Sequence, residues 1–424
     1  MTPTFFLPFV ATLPAALPAH VLDPQDDAAR QRTELERLQR ELADLRAARD
    51  ADRARLADLE ARQKALLEAV ESKPVATATP SWVERLRLGG YGEIHWNREN
   101  GAGGDQIDNH RFVAYLGYRF SDSIELHSET ELEHSFVEEG NGELALEQLF
   151  VDFRLDPSWN VRAGRFLTPL GIVNETHEPT TFHGVERSLF DTVVIPTTWS
   201  SDGVGLFGEL SPTTTYELYL GSSLDGSGFD SLDGIRGGRQ EERPGISQMA
   251  LSGRVDWRLV QEDDAALRVG LSAFGGGLDN GNQGTNPGVD ADLWIGCVDV
   301  RGSTGSFDFR GAYAYEHVQG ARDLGPGVAS AIDGLSVEAA WHVLRPGEGR
   351  EHDVALFARY DAVDTQKDLP SGVARDPRGE RDEWTVGVTW LPLPSVVIKA
   401  DYQMRDDDGG GLPERVNLGL GWSF

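Results

Sequence analysis

Between Phe166 and Ser201 the chain gathers Glu175, His177, Glu178, His183, Glu186, Arg187 and Asp191 in a stretch without strand alternation. Carboxylates, imidazoles and a guanidinium can hold cations, hydrogen-bond polar solutes or exchange protons. Two further sets recur at strand spacing. Glu125, His127, Glu129, Glu131 and Glu133 alternate along one run, where successive carboxylates repel anions, attract cations or pair with arginines. Arg87, Arg119, Arg154, Arg162, Arg254, Arg258, Arg268, Arg310, Arg359, Lys399 and Arg415 are spread over many runs. Guanidinium forks suit carboxylate and phosphate.

Covalent chemistry finds little support. There is no GxSxG, HExxH, P-loop or Rossmann signature. A hydrolase whose Ser and His lie far apart in sequence stays open, but nothing singles them out. Glu129, Glu131 and Glu133 could chelate a hard cation, whereas the spacing of His177, Glu178 and His183 matches no recognised zinc arrangement. The expectation is no catalytic residue, no metal and no cofactor.

The elements that position these residues follow from pattern. Residues 1–20 are apolar, short and end in small residues, as in a secretory signal with Ala19 a plausible cleavage position, although no Lys or Arg precedes the apolar part. From 24 to 72, Leu35, Leu38, Leu42, Leu45, Leu56, Leu59, Leu66 and Val70 fall on one heptad seam, with Arg49, Asp52 and Gln63 in its polar middle. This predicts a coiled coil and therefore an oligomer, the heptads alone not choosing between two and three strands. Residues 73–84 read as a linker, with Pro74 and Pro80 ending the helix.

From residue 85 to 424 the period is two. Sixteen runs are expected, at 86–96, 110–120, 123–136, 144–155, 159–166, 202–210, 214–222, 247–259, 266–275, 289–300, 305–317, 334–343, 352–362, 382–391, 395–405 and 414–424. In the last, Val416, Leu418, Leu420, Trp422 and Phe424 share one face, while Arg415, Asn417 and Ser423 share the other. Connections after even-numbered runs are short and those after odd-numbered runs mostly long, which a soluble sandwich has no reason to do. An even number of such runs with loops sorted by parity predicts an all-β transmembrane barrel of about 16 antiparallel strands, preceded by an α-helical coiled coil. The lone cysteine, Cys297, excludes an intramolecular disulfide and reads as a small buried or lipid-facing side chain. A formal net charge of −30 disfavours nucleic acid as a partner.

With the apolar face turned to lipid, the arginines and Lys399 form a basic wall of the lumen, and Glu125, Glu129, Glu131 and Glu133 an acidic stripe. Opposed charges of this kind set a transverse field that sorts polar solutes. The bland alternative is a wall of structural salt bridges. The segment 167–201 follows the fifth strand, where its mixed polarity suits a loop folded inward to narrow the pore, with Glu175 to Asp191 as the gate.

The runs Arg162-Ala-Gly-Arg-Phe-Leu-Thr-Pro-Leu-Gly171, Glu186-Arg-Ser-Leu-Phe-Asp191 and Gly203-Val-Gly-Leu-Phe-Gly208 resemble the phosphate-selective porin O and P family. The resemblance spans about residues 85–424. It implies a sixteen-stranded homotrimer in the bacterial outer membrane, an inward third loop, a periplasmic coiled coil, and passage of small hydrophilic solutes or inorganic anions such as phosphate or dicarboxylates. It also implies, for phosphate-selective members, a ladder of lumen-facing arginines and a few lysines. A structural protein that tethers the membrane to peptidoglycan through its coiled coil is the alternative.

Overall fold

The computed structural model describes residues 24–71, 82–101, 104–135, 137, 142–240, 243–278, 290–347 and 351–424. The expected signal (1–20) and most of the expected linker (73–84) lie outside these residues. The chain divides into two units, residues 1–79 and 80–424.

Among the described residues the first unit is one helix, α1 (Pro24–Glu71). It is rich in Ala, Arg, Glu and Leu, which lose little freedom in a helix. Arg37–Glu41 and Asp58–Arg62 pair one turn apart at 3.4 and 2.9 Å. Its seam leucines Leu35, Leu38, Leu42, Leu45, Leu56 and Leu59 are all exposed on the single chain, between 49% and 68%. The side chains of Leu66 and Val70 lie outside the described residues.

The second unit is a closed antiparallel barrel. Its strands are β1 (Leu86–Glu99), β2 (Asp105–Arg119), β3 (Ile124–Glu133), β4 (Leu144–Asp156), β5 (Trp159–Leu167), β6 (Ser200–Ser211), β7 (Thr214–Ser222) and β8 (Met249–Gln261). They continue as β9 (Ala265–Gly277), β10 (Asp292–Thr304), β11 (Phe307–Gln319), β12 (Ala331–Leu344), β13 (Asp353–Asp368), β14 (Glu380–Leu393), β15 (Val396–Asp407) and β16 (Arg415–Ser423). Each pairs with its sequence neighbours, and β1 closes on β16, with Gly90 and Phe424 exchanging both backbone hydrogen bonds. All sixteen expected strands are present.

Several strands extend beyond the expected runs on the long-loop side. β2 starts at Asp105, not residue 110, β12 at Ala331, and β13 runs to Asp368. There polar residues such as Asp105, Gln106, Asp364 and Gln366 enter the strands, so alternation of hydrophobicity no longer marks them. β3 is shorter than expected, because His134 and Ser135 take φ of 56° and 58°, which a strand cannot continue.

Large apolar side chains cover the outside: Leu88, Leu116, Leu206, Leu220, Leu271, Val298, Val386 and Leu418 are all exposed. Near the short turns the exposed aromatics are Phe120, Trp159, Phe307, Trp341, Trp390 and Phe424, and toward the long loops Trp294, Tyr315 and Trp384. An apolar band between two aromatic girdles is the surface a bilayer covers. No helix among the described residues is long and apolar enough to cross a membrane.

Two glycines of the quoted motifs have steric reasons. Gly164 has φ 133°, and a Cβ there would collide with the Leu149 carbonyl oxygen. A Cβ on Gly205 would enter the Tyr219 ring, which is packed against Phe166. Gly164→Ala is therefore expected to destabilise the barrel by about 1–3 kcal/mol, read as a lower urea midpoint in lipid vesicles.

Candidate functional site

The connection between β5 and β6 crosses the barrel interior. Asn174, fully buried, staples its two ends by donating to the carbonyls of Thr168 and Trp199 at 2.7 and 3.0 Å, while its own oxygen accepts from Trp199 N at 2.8 Å. From there the segment meets opposite walls. The Gly171 carbonyl accepts from Arg254 on β8, and Glu178 accepts from Tyr115 on β2. The His183 carbonyl accepts from Thr389 on β14, and the Gly184 carbonyl from Lys399 on β15. The Val185 amide donates to Asp401 at 2.6 Å. Glu186 accepts from Asn97 at 2.8 Å and stands 3.2 Å from His95, both on β1, while its carbonyl takes Arg359 of β13.

Its last third is anchored by packing. The π turn Phe190–Val194 and Ile195 bury against an apolar inner wall that includes Leu293, Ile295, Ala312, Ala314, Ile332 and Val363. Each buried Phe, Val, Ile or Leu among them contributes about 1.5–3 kcal/mol. Cys297 belongs to this cluster, buried inside and not on the lipid face.

Electrostatics divide the segment. Burial alone would raise the pKa of Glu186, but His95 and Asn97 hold it well below the usual carboxylate range. Burial and the nearby Glu217 push Glu175 well above it. Burial pushes His183 down to about 4, so its ring, stacked on Phe357, is neutral at pH 7. Burial would likewise lower His177, but Glu129 beside it outweighs this and raises it. Arg187 donates to Thr197 at 3.0 Å.

Asp191 accepts the Ser188 hydroxyl at 2.6 Å, yet burial still raises its pKa from 3.8 to about 6. An acid whose folded pKa exceeds its unfolded value binds more protons when folded. Its penalty is absent below the unfolded value, grows as pH rises through the gap and is complete above about pH 6. Asp191→Asn is expected to stabilise the fold by about 3 kcal/mol at pH 8, with almost no gain at about pH 3; urea titrations at the two pH values check it.

All the expected wall residues share the inward-facing register, but they do not form one basic wall. Arg162 is held by Asp152 at 2.8 Å, Arg415 by Glu99 at 2.6 Å, and Arg359 by Asp361 at 2.9 Å with Glu383 at 3.5 Å. Lys399 lies over the Phe182 ring. Arg87 and Arg154 both pair with Glu125, at 2.5 and 3.3 Å, and Arg119, exposed, sits opposite Glu125 in register. The acidic stripe is likewise engaged. Glu131 and Glu133 meet Arg111 at 3.0 and 3.7 Å, and Glu129 faces His177 at 3.4 Å. Most of these charges therefore stand in pairs within and between neighbouring strands.

One part of the wall differs. Arg258, Arg268, Arg301 and Arg310 are successive register partners on β8, β9, β10 and β11. They line a cavity of about 600 Å³ together with His183 and Glu338. Glu338 pairs with Arg310 at 2.9 Å; Asp256 pairs with Arg268 at 2.8 Å but is already taken by Arg254. The buried Nε of Arg301 has no hydrogen-bond partner. Four guanidinium groups thus share few carboxylates around water-accessible space.

Sequence reasoning missed Arg301, because its strand was expected to end at 300, and it missed Arg111, Glu93 and His95. It also missed the acids that pair with the wall. A signal for those was present: Arg254-Val-Asp256, Asp299-Val-Arg301, Asp308-Phe-Arg310, Arg359-Tyr-Asp361 and Lys399-Ala-Asp401 place opposite charges two apart on one strand face. Glu147 had no such signal. It occupies a β-bulge opposite Glu129 and Thr130, which turns it inward beside Gln148.

A protein of Aquifex aeolicus (strain VF5), itself described as uncharacterized, is 30% identical to this chain over 370 residues, 83% of each sequence. The chain belongs to that protein's family. No protein-family model matches it. Solved structures share the fold of this family member at low sequence identity. A loop L8 deletion mutant of the Vibrio cholerae outer membrane protein OmpT is 12% identical with a TM-score of 0.51, covering 80% of this chain and 99% of that one. The outer membrane channel DcaP of Acinetobacter baumannii is 13% identical with a TM-score of 0.50, covering 80% and 97%. An anion-selective porin from Comamonas acidovorans is 12% identical with a TM-score of 0.50, covering 80% and 99%. These likenesses show that the closed barrel fold is shared with outer-membrane channels.

Proposed function

We propose that the chain is an outer-membrane porin, a passive diffusion channel for small hydrophilic solutes that favours anions. The observation that carries the anion preference is the register row Arg258, Arg268, Arg301 and Arg310 around one cavity. A weak, multi-donor guanidinium site lets an anion enter and leave, which conduction requires. The motif resemblance to the phosphate-selective porin O and P family supports phosphate or a dicarboxylate as cargo. The β5–β6 segment, tied to facing walls, is read as the constriction. No covalent step is proposed, so the reading is non-enzymatic.

The exposed leucine seam of α1 supports a coiled coil and thus an oligomer; the resemblance to the phosphate-selective porin O and P family favours a homotrimer. Because strand β1 starts at the short-turn end, which is periplasmic in barrels of this class, α1 is assigned to the periplasm.

The test is the reversal potential of the purified protein in planar bilayers under a potassium chloride gradient, with and without phosphate. Anion-signed reversal and reduced chloride current in phosphate are expected. Cation-signed reversal defeats the anion reading, and absence of conductance defeats the pore. Removing residues 24–71 is expected to leave conductance intact and convert cross-linked trimers to monomers.

A further inference from the structure

We propose that Glu129, Glu147 and His177 form a binding site for one divalent transition-metal ion, which ties the β5–β6 segment to the barrel wall. The three come from separate places: β3, the bulge in β4 and the inward segment. All are at least nine-tenths buried, at 2%, 5% and 3% exposure. Even so, Glu129 Oε1, both carboxylate oxygens of Glu147 and His177 Nε2 lack any hydrogen-bond partner. Buried polar atoms are nearly always satisfied, and buried carboxylates are costly unless paired or bound to a metal.

The geometry suits a metal better than a proton. His177 Nε2 stands 3.4 Å from Glu129 Oε1 and 3.8 Å from Glu147 Oε2. One donor atom from each residue lies within 4.8 Å of the other two. Bonds of about 2.0–2.2 Å to a tetrahedral ion place its ligands roughly 3.3–3.6 Å apart. A single N–H on His177 could serve only one carboxylate, and both distances exceed the roughly 2.7–2.9 Å of a charge-assisted hydrogen bond.

The surrounding contacts orient the donors. His177 Nδ1 lies 3.0 Å from the Asn174 carbonyl, to which its N–H donates, leaving the Nε2 lone pair directed at the carboxylates. The Gln148 amide donates to Glu129 Oε2, which leaves Oε1 turned to His177. Outer hydrogen bonds of this kind fix metal ligands in position. Tyr91 packs edge-on to His177 and closes the site to the β1 side. One imidazole and two carboxylates fit Zn²⁺ with a fourth position for water; Ca²⁺ needs six or more oxygens.

The test uses the full chain, stripped with a chelator, equilibrated with micromolar Zn²⁺ and freed of excess metal by gel filtration before metal analysis. Co²⁺ absorption reports the coordination. One Zn²⁺ per chain is expected, lost in Glu147→Gln and His177→Asn and kept in His342→Asn, which disrupts the separate cluster of His183, Asp308 and His342. Gln148→Leu is expected to weaken binding roughly 10–100-fold. Heat-modifiable gel mobility checks that each variant is folded; should the ligand variants fail to fold, the wild-type stoichiometry and Gln148→Leu decide. A wild-type chain that retains no zinc, or folded Glu147→Gln and His177→Asn variants that keep it undiminished, overturns the site.

Discussion

Arg254→Met is expected to lower the stability of the folded barrel by about 3–5 kcal/mol, the usual cost of removing one partner from a buried ionic cluster. All five guanidinium hydrogens of Arg254 are used. Its Nε and one terminal nitrogen grip Asp256 at 2.7 and 2.8 Å. The two terminal nitrogens grip Asp299 at 2.7 and 2.9 Å, and one of them donates to the Gly171 carbonyl at 2.7 Å. Asp299 and Arg254 are almost wholly buried, so the carboxylate left behind finds little water. Arg254→Lys keeps the charge but offers three donors for five acceptors; an intermediate loss of about 1.5–3 kcal/mol is expected. Urea titration in lipid vesicles gives both numbers. A loss below about 1 kcal/mol for Arg254→Met would show that water reaches the cluster and screens it as at a surface.

The combined substitution of Arg268, Arg301 and Arg310 by Gln is expected to reverse the sign of ion selectivity. In a water-filled lumen, a unit charge about 7 Å from a passing ion is worth about 0.6 kcal/mol. Three such charges sum to about 1.8 kcal/mol, roughly a twentyfold change for each ion and, because anion and cation shift in opposite directions, about a 400-fold change in their permeability ratio. The released carboxylate of Glu338, and that of Asp256 in part, push in the same direction. Reversal potentials in a salt gradient measure the ratio directly. An unchanged reversal potential would move the selective constriction away from this row, toward the long-loop side where Arg111, Arg165, Arg187 and Arg236 surround a second, smaller cavity.

The lumen was legible in the sequence only in outline. Strand parity put Arg254, Arg310 and Arg359 on the inner face, because side-chain direction alternates along a strand whatever the partner strand does. Their pairing was not legible, since it depends on which residues of adjacent strands stand opposite. Asp299 reaches Arg254 across the strand between them, and Glu338 sits between Arg310 and Arg359 by register alone. The inner faces of β10 and β11 are apolar for a reason that alternation does not show. Ile295, Cys297, Ala312 and Ala314 look like lipid-facing or core residues, and they are apolar because the π turn of the inward segment packs on them. Glu147 was invisible for a third reason: a bulge shifts the alternation by one residue, and bulges depend on cross-strand pairing.

By itself the sequence determined the sixteen strands, their antiparallel order, the apolar outer face and the helix ahead of them, because these follow from local periodicity and from loop lengths. Only the tertiary structure decided which charges are paired, which four arginines share a cavity and which buried donors converge at His177. Those outcomes depend on residues far apart in the chain being brought within a few ångströms by barrel closure and by one segment folded across its interior.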